Sequence, residues 1–520
     1  MSKQNQQNPF FFNNIPRYFL TYQALLRRYF TVAGNSYTPA HSFFAGFILI
    51  KKILIANRGE IAVRIVRACA ELGITSVAIY TEPDRHSLHV KKADEAYNLG
   101  PDSIAGYLNA HRIVNLAVAS GCDALHPGYG FLSENPSLAA ICKNRNIKFI
   151  GPTADVIRHM GHKIEARRSM IEAQVPVIPG SDENLADIKE AFALADKVGY
   201  PVMLKATSGG GGRGIRRCDN HDELKKNYQR VLSEATKAFG SADIFMEKCV
   251  DNPKHIEVQI LADEHGNVIH LYERDCSIQR RHQKLIEIAP SPQLSPEQRE
   301  TIGQLAVRAA QSTGYTNAGT VEFLMDEDEQ FYFMEMNTRL QVEHTITEQI
   351  TGIDIVKEQI RIASGLPLSY QQSDVKHRGY AMEFRINAED PQNDFLPSFG
   401  RITRYLSAGG PGVRTDGAIY TGYHIPPYYD SMCAKLIVWA KEWDELLARG
   451  SRALNDIVVY GVKTTIPYHL EILKNPQFRA ATFTTSFVEE HPELVNYSIR
   501  RPPSRMAAVI AAAVAAHMGL

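Results

Sequence analysis

The chain has 520 residues, with 57 Lys and Arg against 57 Asp and Glu, 7 Cys, 2 Trp and 44% hydrophobic residues. That length suits about three domains. The apolar content excludes a mainly disordered chain, and a formal net charge of zero excludes a broadly basic nucleic-acid binder. The odd cysteine count, with no C-x-x-C pair, encodes neither a disulfide framework nor a zinc ribbon and suits a reducing compartment.

Predicted order begins late. The first acid is Glu60, and the preceding segment carries Lys3, Arg17, Arg27, Arg28, Lys51, Lys52 and Arg58 among many Phe, Tyr and Asn. It is acid-poor like a transit leader but not clearly a Ser-rich amphipathic helix. A secretory signal is rejected, because the apolar run Phe43–Ile50 is short and precedes Lys51 and Lys52. Residues 1–50 are therefore expected to be an extension, disordered or read from a start placed too early. No run reaches the roughly 18–20 apolar residues that span a bilayer. Ala507–Ala516 reads as a small amphipathic helix, and a soluble, cytoplasmic protein is expected.

From Lys51 the pattern is strand Lys52–Ala56, turn Asn57–Glu60, helix Ile61–Leu72 stopped by Gly73, and strand Val77–Tyr80. Further strands at Ala124–His126 and Lys148–Ile150 complete a parallel, doubly-wound-like α/β sheet that lacks a G-x-G-x-x-G dinucleotide fingerprint. After Gly161 the strands Val202–Lys205, Ile244–Glu247, His255–Leu261, Val268–Glu273, Thr320–Met325 and Phe331–Met336 lie close together, an antiparallel α+β texture. A further β-rich unit begins near Arg378–Ile386 and runs to about Glu490, with no internal repeat.

Four stretches carry chemistry. Ser208–Gly214 follows a strand ending in Lys205; successive glycines can turn backbone N–H groups onto one centre, a phosphate cradle that Lys205 could reach. In Phe331–Asn337, Glu335, Asn337 and Arg339 fall on one strand face, and a hairpin symmetric about Asp328 and Glu329 sets Glu322 opposite Glu335. Paired carboxylates repel unless a cation bridges them, and with an Asn oxygen they form a hard ligand set for Mg²⁺ or Mn²⁺. Arg280, Arg281, His282 and Lys284 form a basic cluster pointing to anionic ligands. Arg339, Gln341, Glu343 and His344 could hold a small planar anion and take its proton.

Together these stretches resemble the ATP-grasp superfamily and, within it, biotin carboxylase. The resemblance runs through Ile55–Ala62, His126–Asn135, Met336–His344, Arg385–Asp390 and Tyr428–Met432, and covers about Lys51 to Pro492. It implies that ATP phosphorylates bicarbonate to carboxyphosphate, whose CO₂ then carboxylates biotin on a carrier. It also implies segments 51–162 (N-terminal, pre-ATP-grasp), 163–383 (ATP-grasp, with a mobile lid at about 177–249), 384–492 (C-terminal, β-rich) and a tail 493–520.

By matching position, Lys163, Lys205 and His282 resemble ATP-phosphate contacts beneath a lid loop of Gly209, Gly210, Gly211, Gly212 and Gly214. Glu247, Lys248 and Val250 resemble the adenine-reading hinge, with His255 and Gln279 near the nucleoside. Glu322, Glu335 and Asn337 resemble the Mg²⁺ or Mn²⁺ ligands, and Lys284, Arg339, Gln341 and Val342 the bicarbonate pocket. Glu343 matches the general base, and Arg385 the group that stabilises the biotin enolate. His162 stands where an acid commonly precedes the nucleotide lysine, and Thr207 and Ser208 replace part of the usual glycine run.

No Met-Lys-Met carrier motif is present. Biotin is therefore expected on a separate biotin carboxyl carrier protein, beside carboxyltransferase subunits, in an acetyl-CoA carboxylase or a two-subunit pyruvate carboxylase. The tail resembles that of the pyruvate carboxylase component more. A homodimer is also implied. Two other readings are another ATP-grasp ligase of the carbamoyl-phosphate synthase kind and a non-catalytic ATP-grasp binding protein.

Overall fold

The computed structural model describes residues 50–207, 214–239, 243–498 and 503–519. All but the last residue of the expected 1–50 extension, and the lid glycines Gly209, Gly210, Gly211 and Gly212, lie outside them.

Strands β1 (Lys52–Ile55), β2 (Thr75–Tyr80), β3 (Glu95–Asn98), β4 (Ala124–His126) and β5 (Lys148–Phe149) form an all-parallel sheet in the order β3-β2-β1-β4-β5. Helix α1 (Gly59–Leu72) follows β1; it starts at Gly59, inside the stretch expected to be a turn. Ile61, Ile65, Ala68 and Cys69 repeat at helical spacing and are buried. Gly73 ends the helix in the left-handed region (φ 70°), with its N–H on the Ala70 carbonyl. The sequence missed β3, whose half-exposed Glu95, Ala96, Tyr97 and Asn98 carry little apolar pattern.

Helix α2 (Lys163–Glu172) opens the next region. A small unit follows: α3 (Ile188–Val198), β6 (Val202–Ala206), β7 (Ile215–Cys218), α4 (His221–Phe239) and β8 (Ile244–Lys248). Its antiparallel sheet, ordered β7-β6-β8, has its own core of Leu185, Ala191, Leu204, Leu224, Val231 and Met246.

The main sheet has eight antiparallel strands. They are β9 (Lys254–Ala262), β10 (Val268–Arg280), β11 (Gln283–Ala289), β12 (Asn317–Met325), β13 (Phe331–Asn337), β14 (Tyr380–Asn387), β15 (Val413–Gly417) and β16 (Met432–Ala440). Their order is β13-β12-β9-β10-β11-β14-β16-β15. The β-rich segment expected from Arg378 onward therefore extends this sheet across the β11–β14 pairing instead of starting a new one.

The two faces of the sheet differ, as strand alternation requires. Ile256, Val258 and Ile260 of β9 and Val321 and Phe323 of β12 pack on α5 (Pro296–Ser312). Met382, Phe384, Leu436 and Val438 pack in a second core near the C-terminus. The intervening positions, Glu257, Gln259, Thr320, Glu322, Glu383, Arg385 and Lys435, carry polar groups to the other face. Helix α6 (His344–Thr351) packs there, with its Thr345 hydroxyl on Glu383 and its Thr347 hydroxyl on Arg274. The C-terminal helix Pro503–Met518 contains the predicted Ala507–Ala516, and among the described residues no helix is long and apolar enough to cross a membrane.

Candidate active site

The β12–β13 hairpin carries the predicted pair, with Glu322 opposite Glu335 and Thr320 opposite Asn337, although the pairs nearest the turn centre on Asp328 alone. The register shifts between Glu322 and Phe323, so Met334 bulges and the strand ends diverge from a simple ladder. Asn337 donates its Nδ2 to Glu322 Oε1 at 2.8 Å, while Arg339 donates to Asn337 Oδ1 at 2.8 Å. Glu335 opens to the cleft, yet its dense surroundings and then the Glu322 charge push its carboxyl upward. Burial also opposes ionisation of Glu322, but Lys284 and His255 prevail and hold it well below the usual carboxylate range. Two carboxylates and an amide oxygen on facing strands are chemically suited to a hard divalent cation, which would also hold phosphate oxygens.

The same register continues across the sheet, with Glu322 opposite Glu257 and Glu257 opposite Arg274. Lys284 is the cation in the middle. Its Nζ lies 2.6 Å from Glu257, 2.6 Å from Glu343 and 3.2 Å from Glu322. Burial works against the Lys284 charge, but Cys276 and these three carboxylates hold it well above its ordinary range. Arg385 reaches Glu343 at 3.1 Å and Glu287 at 2.5 Å. Glu343 is 2% exposed; burial would raise its carboxyl, yet Lys284, Arg385 and Arg274 drive it far below the usual range.

The other residues expected to form the bicarbonate pocket gather here. Arg339 is anchored by Glu134, from the parallel-sheet region, at 2.8 Å. Gln341 donates to Glu322 Oε1 at 2.6 Å. The Val342 carbonyl accepts from the buried Lys435 at 2.6 Å, and Lys435 lies 3.3 Å from Glu60. The Gln341 carbonyl accepts from His344 Nδ1 at 2.7 Å; because carbonyl and N–H lie trans across a peptide, this aims the Val342 N–H the opposite way.

The nucleotide-side residues are more dispersed. Lys205 on β6 meets Glu247 on β8 at 2.5 Å, and Arg167 lies 3.5 Å from the same carboxylate. Burial lowers the proton affinity of Lys163, with Glu335, Lys205 and Glu247 all acting on it. His162 caps α2 by accepting the Glu165 N–H, the cap role an acid could also fill. Thr207, in the altered glycine run, is buried and its hydroxyl bonds Asn184 at 2.5 Å. Gly214 needs its glycine, with φ at 70° and an added Cβ only 3.0 Å from the Ala206 Cβ.

Several predicted contacts are already occupied. Lys248 spends its ammonium on the Gly199 and Tyr200 carbonyls, at 3.0 and 2.8 Å, and its N–H on Pro179, at 2.7 Å. Val250 beside it is half-buried. His255 binds Glu322 at 2.7 Å, and Gln279 lies opposite Lys284 in the β10–β11 hairpin. The basic cluster splits at that hairpin. Arg280 and Arg281 pair with Asp394, His282 is exposed at the tight turn, and of the four only Lys284 joins Glu257, Glu322 and Glu343.

The sequence also left residues without a role. Arg274, Glu257, Glu287, Glu383 and Lys435 are all fully buried charges of the polar face. A signal existed: His255, Glu257 and Gln259 alternate with Ile256, Val258 and Ile260, a polar row where both faces of a central strand are covered.

Comparison with known proteins decides the family. Residues 49–157 match "Biotin carboxylase, N-terminal domain", 162–371 "Carbamoyl-phosphate synthase L chain, ATP binding domain", and 383–490 "Biotin carboxylase C-terminal domain". Biotin carboxylase 1 of Bacillus subtilis is 54% identical over 85% of this chain and 99% of its own. This chain belongs to the biotin carboxylase family. A pyruvate carboxylase subunit of Methanothermobacter thermautotrophicus is 50% identical over 90% of this chain and 99% of its own. Among solved structures, the biotin carboxylase domain dimer of Hydrogenobacter thermophilus 2-oxoglutarate carboxylase, in complex with MgADP, ADP and bicarbonate, is 55% identical with a TM-score of 0.84. That match covers 86% of this chain and 99% of the solved one. Two biotin-carboxylase segments thus flank an ATP-binding segment shared with carbamoyl-phosphate synthase, which places the chain in the former family of ATP-dependent ligases.

Proposed function

We propose that this chain carboxylates biotin on a separate carrier protein, using ATP and bicarbonate. The observation that carries the reading is the Lys284 ammonium held by Glu343, Glu257 and Glu322, with Arg385 on the far side of Glu343. Bicarbonate would bind among Lys284, Arg339, Gln341 and the Val342 N–H. Against its protein partners alone Glu343 is a weak base, because Lys284 and Arg385 neutralise it. An incoming anion competes for those same donors, and each hydrogen bond it takes raises the proton affinity of Glu343. The base is thereby strengthened when its substrate arrives.

ATP then phosphorylates the deprotonated bicarbonate to carboxyphosphate. Glu322, Glu335 and Asn337 would hold a Mg²⁺ or Mn²⁺, which neutralises phosphate charge in such transfers. Lys163, Lys205 and the lid glycines neutralise and position the phosphates, while Glu247, Lys248, Val250, His255, Gln279 and His282 serve the nucleotide. Carboxyphosphate is labile in water, so a site that excludes solvent matters. Carboxyphosphate splits into CO₂ and phosphate. The phosphate takes the proton from the biotin ring N–H, and the enolate so formed, its oxygen facing Arg385, attacks CO₂ through that nitrogen.

The segments 51–162, 163–383 and 384–492 serve as pre-ATP-grasp, ATP-grasp and C-terminal parts. The relatives whose names give a parent enzyme, pyruvate carboxylase over 90% of this chain and 2-oxoglutarate carboxylase over 86%, support a two-subunit 2-oxoacid carboxylase as the parent. We assign a cytoplasmic homodimer working with a biotin carboxyl carrier protein and a carboxyltransferase; the relative solved as a dimer supports the pairing.

Arg385→Ala tests the reading. Biotin carboxylation should fall at least about 100-fold with ATP binding largely kept. Equal loss of both would remove Arg385 from the enolate step.

A further inference from the structure

We propose that Arg274 positions the bicarbonate pocket, acting through Gln341 and Glu257 without touching substrate. The proposal rests on the reading of Gln341 and Lys284 as bicarbonate ligands. Arg274 is wholly buried on β10. Its Nε donates to Glu257 Oε1 at 2.5 Å. Nη1 donates to Gln259 Oε1 at 2.8 Å and Thr347 Oγ1 at 3.0 Å. Nη2 donates to Thr320 Oγ1 and Gln341 Oε1, both at 3.1 Å. A guanidinium has five N–H donors in a rigid plane, so every donor is committed within the protein.

Two consequences reach the pocket. Gln341 must turn its amide oxygen to Arg274, because the flipped amide would set N–H against N–H. Its nitrogen therefore faces the other way, with one N–H on Glu322 Oε1 and the second, among the described residues, left for a ligand. Glu257 has one oxygen fixed by Arg274, which leaves Oε2 to hold Lys284 at 2.6 Å. Arg274 also ties Thr320 of the metal-side strand to Thr347 of α6, the helix that begins just after Glu343. One planar cation thus sets the direction of an amide donor and the place of an ammonium donor. Lysine, a point charge with three rotating donors, cannot reproduce that fork.

The test is steady-state kinetics on the full chain with free biotin, varying bicarbonate and ATP separately. Arg274→Lys should raise the bicarbonate KM about 10- to 100-fold and leave the ATP KM within about twofold. Thr320→Val and Thr347→Val, each removing one anchor, should raise the bicarbonate KM about threefold with near-parental melting temperatures. They decide the matter if Arg274→Lys fails to fold. Equal increases in both KM values, or unchanged bicarbonate KM in the folded variants, would overturn the positioning role. Gln341→Ala runs alongside: if it leaves the bicarbonate KM unchanged, the pocket reading itself falls. If Gln341→Ala raises that KM while the Arg274 and threonine variants do not, only the Arg274 proposal falls.

Discussion

The proposed anion pocket and the proposed nucleotide side are built from the same residue types by opposite means. In the pocket, Arg274, Glu257, Lys284, Glu343, Glu287 and Arg385 come from β9, β10, β11, β14 and the turn before α6, and most are almost fully buried. On the nucleotide side, Lys205 and Glu247 belong to the small β7-β6-β8 sheet, Lys163 to α2 and His282 to an exposed turn. Buried charges cost several kcal/mol each unless they are paired and fully hydrogen-bonded. The pocket therefore has one arrangement it can hold, whereas the dispersed groups depend on where their separate elements sit. The proposed anion pocket is fixed in place by its buried pairs, whereas the proposed nucleotide contacts come from separate elements.

The largest expected effect follows from that difference. Glu343→Gln should lower biotin-dependent ATP cleavage about 100- to 10,000-fold while nucleotide affinity stays close to parental. Measured by phosphate release and by nucleotide titration, a similar loss of affinity would mean that the two regions are not separable. A parental turnover would remove Glu343 as the general base.

How much of this was legible in the sequence also divides along the comparison. The Glu322–Glu335 pairing is the one predicted from a hairpin symmetric about Asp328 and Glu329, but the turn-side pairs Met325–Phe331 and Leu324–Tyr332 centre on Asp328, and the bulge at Met334 shifts the register by one residue to bring Glu335 opposite Glu322. The parallel strands other than β3, and α1 with its Gly73 stop, follow from local apolar spacing. The row Glu322–Glu257–Arg274 could not be derived, since it joins strands far apart in the chain through β12–β9 and β9–β10 register. Glu257 and Arg274 reveal themselves only once both sheet faces are known to be covered. The basic cluster misled for the complementary reason: adjacency in sequence grouped Arg280 and Arg281 with Lys284, but the hairpin turns the arginines to Asp394.

A smaller effect is expected at the border of the two regions. Glu335→Gln removes a carboxylate from the face that Lys163 and Glu322 share. Nucleotide binding should lose about tenfold of its Mg²⁺ dependence, while bicarbonate KM changes little. A Mg²⁺ titration superimposable on the parent would sink the ligand assignment.

The smallest effect concerns stability and would sharpen what rigid preparation costs. Glu383 lies opposite Glu287 in the β11–β14 register, is fully buried, and has one oxygen without a partner. Burial pushes its carboxyl up to about 7, against the pull of Lys435, Thr345 and Arg385 and with the push of Glu343. Its native proton affinity is thus raised above the unfolded value near 4.5, so the stability it contributes is complete at low pH and is lost as pH rises to about 7. Glu383→Gln holds that position neutral at every pH. Stability from urea unfolding at pH 5, 6 and 7 should therefore fall less steeply in the variant, by up to about 1.4 kcal/mol per pH unit. Glu287, pushed up to about 8 by burial, and Glu60, pushed up to about 7, keep part of the slope in both proteins. Identical slopes would mean that Glu383 is already ionised at pH 5, and that Lys435 and Arg385 neutralise the polar face more completely than its unpaired oxygens suggest.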